Sequence, residues 1–170
     1  MWAAVDSFFK TNNMKNTLLI VLLISFSFCN SQAFSGKGDS KFQVGANFQN
    51  NGTGLNLSYD YGIGENISLG LSSTYLLGVE EKIDAKFGDR YDLRARFNAN
   101  IGNVLAIDKN FDLYPGLSFG LKNFGGHLGA RYFFTNGFGL FTEFNVPFAE
   151  YNSDDLSPAE ELPVKGYISV

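Results

Sequence analysis

The sequence predicts an all-β fold: a small antiparallel up-and-down transmembrane β-barrel of eight strands, preceded by a signal peptide. Three observations predict it. From Phe42 to Phe148, segments of about nine to eleven residues are apolar at every second position. Short Gly, Asn and Asp clusters separate them, as hairpin turns do. After Ala33 no run approaches the roughly eighteen apolar residues of a spanning helix, so any membrane span would be made of strands.

The first thirty-three residues read as a leader. Lys15 supplies a positive start, Leu18 to Phe28 an apolar run, and Ser31-Gln32-Ala33 small residues at the cleavage positions, so cleavage is expected after Ala33. Met14-Lys15 is the natural beginning of such a signal, which makes Met1 to Asn13 an upstream extension or start-site error. Residues 34–170 then form one barrel domain. Cys29 is a poor lipoprotein cysteine because Phe28, and not a small residue, precedes it. Cleavage at Ala33 removes this single cysteine, and with it disulfides, thiol catalysis and Cys-based metal sites. Seventeen acidic against thirteen basic residues argue against a nucleic-acid partner.

The elements follow in order. The first strand sets Phe42, Val44, Ala46 and Phe48 against Gln43, Gly45, Asn47 and Gln49, and turns at Asn51-Gly52. The second sets Leu55, Leu57, Tyr59 and Tyr61 against Asn56, Ser58 and Asp60, and Gly62 to Asn66 turns the chain. The third carries Ile67, Leu69, Leu71, Ser73, Tyr75 and Leu77 opposite Ser68, Gly70, Ser72 and Thr74, before a polar loop from Val79 to Asp89. The fourth has a charged face, Asp92, Arg94, Arg96, Asn98 and Asn100, alternating with Tyr91, Leu93, Ala95, Phe97 and Ala99. Ile107 to Asn110 is read as a short turn. The fifth sets Phe111, Leu113, Leu117 and Phe119 against Asp112, Tyr114, Gly116, Ser118 and Gly120, with Pro115 near its start. The sixth sets Leu128, Ala130, Tyr132 and Phe134 against His127, Gly129, Arg131 and Phe133. Thr135-Asn136-Gly137 leads into the seventh, where Phe138, Leu140, Phe144, Val146 and Phe148 alternate with Gly139, Phe141, Glu143 and Asn145.

Closure needs an eighth strand. Its candidate, Val164 to Val170, is short, contains Lys165-Gly166 and lacks the terminal aromatic residue usual in such barrels. Seven strands alone would leave two unpaired edges. Either the last strand is short and imperfect, or truncation or frameshift has altered the C-terminus; the second reading is preferred. Short connections at Gly62–Asn66, Ile107–Asn110 and Thr135–Gly137, against longer ones at Val79–Asp89 and Ala149–Pro163, predict an outer-membrane topology with both termini periplasmic.

Alternation alone does not say which face is inside. A soluble lipocalin-like barrel would have to bury all the Phe, Tyr and Leu of the apolar face in the volume of one small ligand. Pointing the polar face inward instead fills a narrow lumen with Gly, Ser and Asn beside long charged side chains. Asp60, Asp92 and Glu143 with Arg94, Arg96 and Arg131 are then expected to form a buried structural ion network, since buried charges must pair. Counting back from the Thr135-Asn136-Gly137 turn places Arg131 and Glu143 a diagonal step apart, within reach. Thr74 and Ser72 are expected opposite Arg94 and Arg96. A gated ion path is disfavoured because eight strands leave little room for water.

His127, the only histidine, points to the polar face with no Ser two residues on, so no catalytic Ser-His-acid set is read. Asp154, Asp155, Glu160 and Glu161 read as a solvated charged loop. The Gly pairs are not phosphate loops, since no helix follows them.

Gly125 to Glu143, Ser35-Gly36-Lys37-Gly38-Asp39 and Asn110-Phe111-Asp112-Leu113-Tyr114-Pro115-Gly116 resemble an uncharacterised family of small outer-membrane β-barrel proteins from flavobacteria and related Bacteroidota. The resemblance spans most of the chain to about Leu162. It implies a barrel ending in a full aromatic-ended strand, and it carries no catalytic or ligand residues. The expectation is a non-enzymatic outer-membrane protein with a structural or surface-interaction role, monomeric, without cofactor or metal. Its partners would be outer-membrane lipid, lipopolysaccharide and the outer-membrane insertion machinery. A soluble ligand barrel and a narrow small-solute pore are the alternatives.

Overall fold

The computed structural model describes residues 33–80, 82–135, 137–151 and 156–170. The expected leader up to residue 32, Asn136, Asp154 and Asp155 lie outside the described residues. Eight antiparallel strands close into a barrel in sequence order. They are β1 Ser40–Gln49, β2 Gly52–Gly62, β3 Ile67–Val79, β4 Tyr91–Ala99, β5 Phe111–Gly120, β6 Asn123–Thr135, β7 Phe138–Glu150 and β8 Tyr167–Ser169. Two four-residue helices, α1 Phe87–Arg90 and α2 Gly102–Leu105, and a 3-10 turn at Leu162–Val164 sit in the connections. The end where β1 begins is called lower here, and the end where it finishes upper.

The alternation sorts the side chains as a barrel requires. Along β2, Asn56, Ser58 and Asp60 are buried while Leu55, Leu57, Tyr59 and Tyr61 are exposed. The same holds around the wall: Leu71, Phe119, Leu140 and Phe144 stand outside, and Arg94, Arg96, Asp112, Arg131 and Glu143 inside. The interior is polar and the exterior apolar, the reverse of a soluble ligand barrel. Pro115, which has no N–H to give, lies where β5 has not yet met β4, whose pairing begins at Gly116.

Several connections differ from the sequence expectation. The first hairpin turns on Asn50-Asn51, with Asn51 at φ 65°, and Gly52 already belongs to β2 opposite Gln49. The β4–β5 connection is not the short turn Ile107–Asn110: it runs from residue 100 to 110 and includes α2, because Ile101 and Gly102 bond back to Leu113 and Asp112. Tight turns occur at the upper end too, between β1 and β2 and between β5 and β6, so connection length separates the two ends less cleanly than the sequence suggests.

The eighth strand is real and short. Tyr167–Ser169 pairs with Asn47–Gln49 of β1 and with Glu143–Asn145 of β7. The expected eighth strand is present in its short form: Tyr167 and Ser169 are buried while Ile168 is exposed, so three residues keep the alternation and close the ring. Val170 adds a reciprocal pair of backbone hydrogen bonds with Ala46. Below it, among the described residues, β1 and β7 approach each other directly. There a Cβ on Gly45 would lie 2.6 Å from Phe141 Cζ and from the Val170 carbonyl oxygen, so the Phe141 ring sits tight against β1. Lys41 Nζ stands 5.1 Å from the centre of the Phe133 ring. Two aromatic residues on the polar faces of β6 and β7 thus lie beside β1 below β8.

Both mouths are covered. At the lower end Phe34 is buried, its carbonyl accepts from Asn103 Nδ2 at 2.6 Å, and Gly38 and Asp39 exchange bonds with Gly62. At the upper end Leu162, Pro163 and Val164 are buried. Gln49 Nε2 donates to the Leu162 carbonyl at 2.7 Å, and Arg94 and Asn123 donate to that of Pro163.

Candidate functional site

The lumen gathers buried charge, and the register explains how. On adjacent strands Asp60 faces Gly70, Gly70 faces Arg96, and Arg96 faces Ser118. Small residues beside Arg96 leave its side chain room to cross the interior. It reaches Asp60 Oδ1 at 3.2 Å on one side and Glu143 Oε2 at 2.6 Å on the other. Arg131 pairs with Asp112 Oδ2 at 2.9 Å and Asp60 Oδ2 at 3.4 Å, and donates to Asn100 Oδ1 at 2.9 Å. Asp60 therefore bridges two arginines, and the chain of charges runs Asp112, Arg131, Asp60, Arg96, Glu143. Asn145 Nδ2 ends it with a bond to Glu143 Oε1 at 3.0 Å. Every charged member is no more than 3% exposed, a setting in which an unpaired charge would cost several kcal/mol.

Tyr114 stands in the middle of this chain. Its ring centre lies 4.4 Å from the Arg131 guanidinium and 5.8 Å from that of Arg96, and its hydroxyl accepts from Gln43 Nε2 at 3.0 Å. Gly129 faces Tyr114 across β5 and β6, and a Cβ there would overlap the ring. Glycine at that position is what lets a tyrosine fit inside so narrow a barrel.

Of the six residues expected in the network, Asp60, Arg96, Arg131 and Glu143 are joined. Asp92 and Arg94 form their own ion pair higher up, with Arg94 over the Tyr167 ring at 5.0 Å. Arg131 and Glu143 are a diagonal apart, as counted, yet they are not an ion pair among the described residues; Glu143 pairs with Arg96 across the lumen, and Arg131 with Asp112 on the neighbouring strand. Ser72 and Gly70, and not Thr74 and Ser72, lie opposite Arg94 and Arg96. The member that sequence reasoning missed is Asp112. It sits directly across from Arg131 in the β5–β6 register, and that register is the signal that identifies it.

His127 is also placed by the lumen. Its Nε2 lies 2.7 Å from Asn98 Oδ1 and its Nδ1 2.7 Å from Ser118 Oγ. Asn98 Oδ1 can only accept, which puts the ring proton on Nε2 and leaves Nδ1 to accept from Ser118. This Ser-His-Asn string resembles a catalytic relay in composition. The hydroxyl, however, meets the wrong ring nitrogen for one, and Ser118, His127 and Asn98 are all no more than 5% exposed. No group of three or more His, Cys, Asp or Glu with metal-holding geometry occurs among the described residues.

A family model described as a family of unknown function, DUF6646, matches residues 24–158. The chain belongs to the DUF6646 family. The matched span covers β1 to β7 and the ion-paired residues of the lumen, and stops short of the upper cap and β8. No curated protein and no solved structure matches the chain. What this DUF6646 member offers chemically is therefore what its own lumen shows, a run of buried salt bridges inside a closed barrel.

Proposed function

We propose that this chain is a non-enzymatic outer-membrane β-barrel protein of the flavobacterial type, monomeric, with both termini periplasmic and a structural or surface-interaction role. One observation carries the reading: a continuous outer belt of large apolar side chains surrounds a charged interior. Leu71 is 56% exposed, Leu140 64% and Phe144 49%, while Arg96 is 3% and Asp60 1%. Water is a poor solvent for that exterior, whereas hydrocarbon suits it, and strands of nine to thirteen residues are long enough to cross a bilayer at a tilt. The lumen favours a plug over a pore. It is spanned by ion pairs and capped at both ends, and a void under Pro163 beside Thr74, Asp92 and Tyr167 measures about 10 Å³, room for one water. The interactions of such a barrel fall to its surfaces: lipid and lipopolysaccharide on the wall, and the insertion machinery during assembly.

The test is extraction from the outer-membrane fraction followed by electrophoresis with and without heating. Heat-modifiable migration of a detergent-extracted monomer is expected, and recovery as a soluble periplasmic monomer would overturn the reading. Steady single-channel currents in planar bilayers would replace the plug by the pore.

A further inference from the structure

We propose that the top of the β3–β4 wall carries a site for the phosphorylated sugar headgroup of a membrane glycolipid, with Tyr75, Phe87 and Tyr91 stacking the sugar and Lys86 and Lys122 taking its phosphate. The proposal rests on the membrane reading and names where on the rim a polar lipid head is held. Tyr75 and Tyr91 form the last pair of the β3–β4 ladder, and both point outward, since their neighbours Thr74 and Asp92 are buried. Phe87 of α1 lies against them. Its ring centre is 5.5 Å from that of Tyr75 and 5.6 Å from that of Tyr91, and it is nearly parallel to the Tyr91 ring, at 16°. Phe87 is nonetheless 68% exposed, the highest value of any large apolar side chain among the described residues. The short helix that carries it is pinned. Asp89 accepts from the Lys86 N–H at 2.9 Å, Arg90 Nε donates to the Ala85 carbonyl at 3.1 Å, and Lys122 Nζ, from the β5–β6 turn, donates to the Gly88 carbonyl at 2.8 Å. A ring face held in place and left open is a platform on which a pyranose can stack.

The same contacts set the charge beside the platform. Lys86 directly precedes Phe87 and is exposed, and the Gly88 contact brings the Lys122 amine to the next residue along. Lys122 meets Asp89 only at 4.0 Å, a partly exposed pair worth little in water, and the other Asp89 oxygen is taken by the Lys86 N–H. A phosphate oxygen can replace that contact with a shorter one. Both amines also act on the exposed Glu160 carboxyl: Ser157 does most to hold it below its ordinary value, and Lys122 and Lys86 add to the effect, so the two amines converge on one side of the rim. Directly below, the outer face of β3 continues through Leu71 and Leu69, about half exposed. From the wall upward the order is therefore apolar surface, aromatic face, amines. That order matches hydrocarbon, sugar and phosphate in one molecule, and aromatic rings at the headgroup level suit it. A phosphatidyl lipid offers the phosphate without the ring, and a neutral glycoside the ring without the phosphate.

The experiment uses the full chain in lauryldimethylamine oxide, a detergent without sugar or phosphate, with Phe87→Trp as a reporter that keeps an aromatic face and Trp2→Phe to remove the other indole. Three probes are titrated: monophosphoryl lipid A, phosphatidylglycerol and octyl glucoside. Tryptophan emission is expected to show saturable binding of monophosphoryl lipid A, about tenfold or more tighter than either of the others. On the same background, Lys86→Gln with Lys122→Gln should weaken that binding about tenfold and bring it to the level of the neutral glycoside. Tyr91→Leu, which keeps apolar bulk and removes a ring, should bring it toward the level of phosphatidylglycerol. The lysine pair is exposed and outside the ladder, so its result stands whether or not the Tyr91 variant folds. Equal binding of the three probes, no saturable binding, or affinity unchanged by the lysine pair would each overturn the proposal. Heat-modifiable migration together with equal binding would overturn this site alone and leave the membrane reading standing.

Discussion

The lower and upper halves of the lumen hold similar residues and treat them differently. In the lower half Asp112, Arg131, Asp60, Arg96 and Glu143 satisfy one another in an unbroken sequence of ion pairs. In the upper half Asp92 Oδ1, Asn123 Oδ1, Ser169 Oγ and both side-chain polar atoms of Asn47 are buried without a hydrogen bond among the described residues, beneath a cap held by three carbonyl contacts. In the lower half Asp60 Oδ1 also lacks a hydrogen bond but keeps its ion pair with Arg96, so the upper half is the less satisfied one. The difference teaches where the barrel is rigid: the lower charges lock β2, β4, β5, β6 and β7 together across the lumen, while the upper end is closed by a loop.

Breaking the lower chain should cost most. Arg96→Ala takes from Glu143 its arginine partner and leaves Asp60 with Arg131 alone, and is expected to destabilise the barrel by about 3–5 kcal/mol, measured by urea unfolding in detergent. Replacing Arg96 and Glu143 together by methionine should recover much of that loss, because less charge is left unpaired. Gly129→Ala comes next: its Cβ would overlap the Tyr114 ring and lever apart the two arginines, an overpacking cost of about 1–3 kcal/mol read in the same titration. The upper half predicts a smaller response. Asn47→Val removes two unpartnered polar atoms and is expected to shift stability by less than about 1 kcal/mol in either direction; a loss as large as that of Arg96→Ala would erase the distinction between the halves.

The smallest effect belongs to the upper loop outside the wall. Ser157 donates its hydroxyl and backbone N–H to Glu160, which holds that exposed carboxyl below its ordinary value. A lowered folded-state value means that the contact favours the folded loop above the ordinary carboxylate range and that the benefit is lost as pH falls through the lowered value. Ser157→Ala should therefore raise the Glu160 titration midpoint, seen by NMR, with no measurable change in barrel unfolding.

Much of this was legible before any coordinate. Period-two patterning located seven strands and told their two faces apart, since a face built from Asp60, Arg96 and Arg131 and one built from Leu57, Leu71 and Phe144 need different surroundings. Register across long connections was not legible. The path from Val79 to Tyr91 carries no turn geometry that fixes pairing, and Arg94 accordingly met Ser72 instead of Thr74. Asp112 was missed for the same reason, because only the β5–β6 register sets it across from Arg131. The eighth strand was placed within Val164 to Val170, but three residues are too short to show a period, so its extent, Tyr167–Ser169, was not legible.

The central claim is that the apolar face meets hydrocarbon. Placing a single tryptophan on it by Leu71→Trp, with Trp2→Phe to remove the other indole, tests this in bilayers containing lipids brominated on their acyl chains. Strong quenching by the brominated chains, with little by aqueous iodide, is the predicted result. Quenching by iodide with none from the brominated lipid would contradict the account.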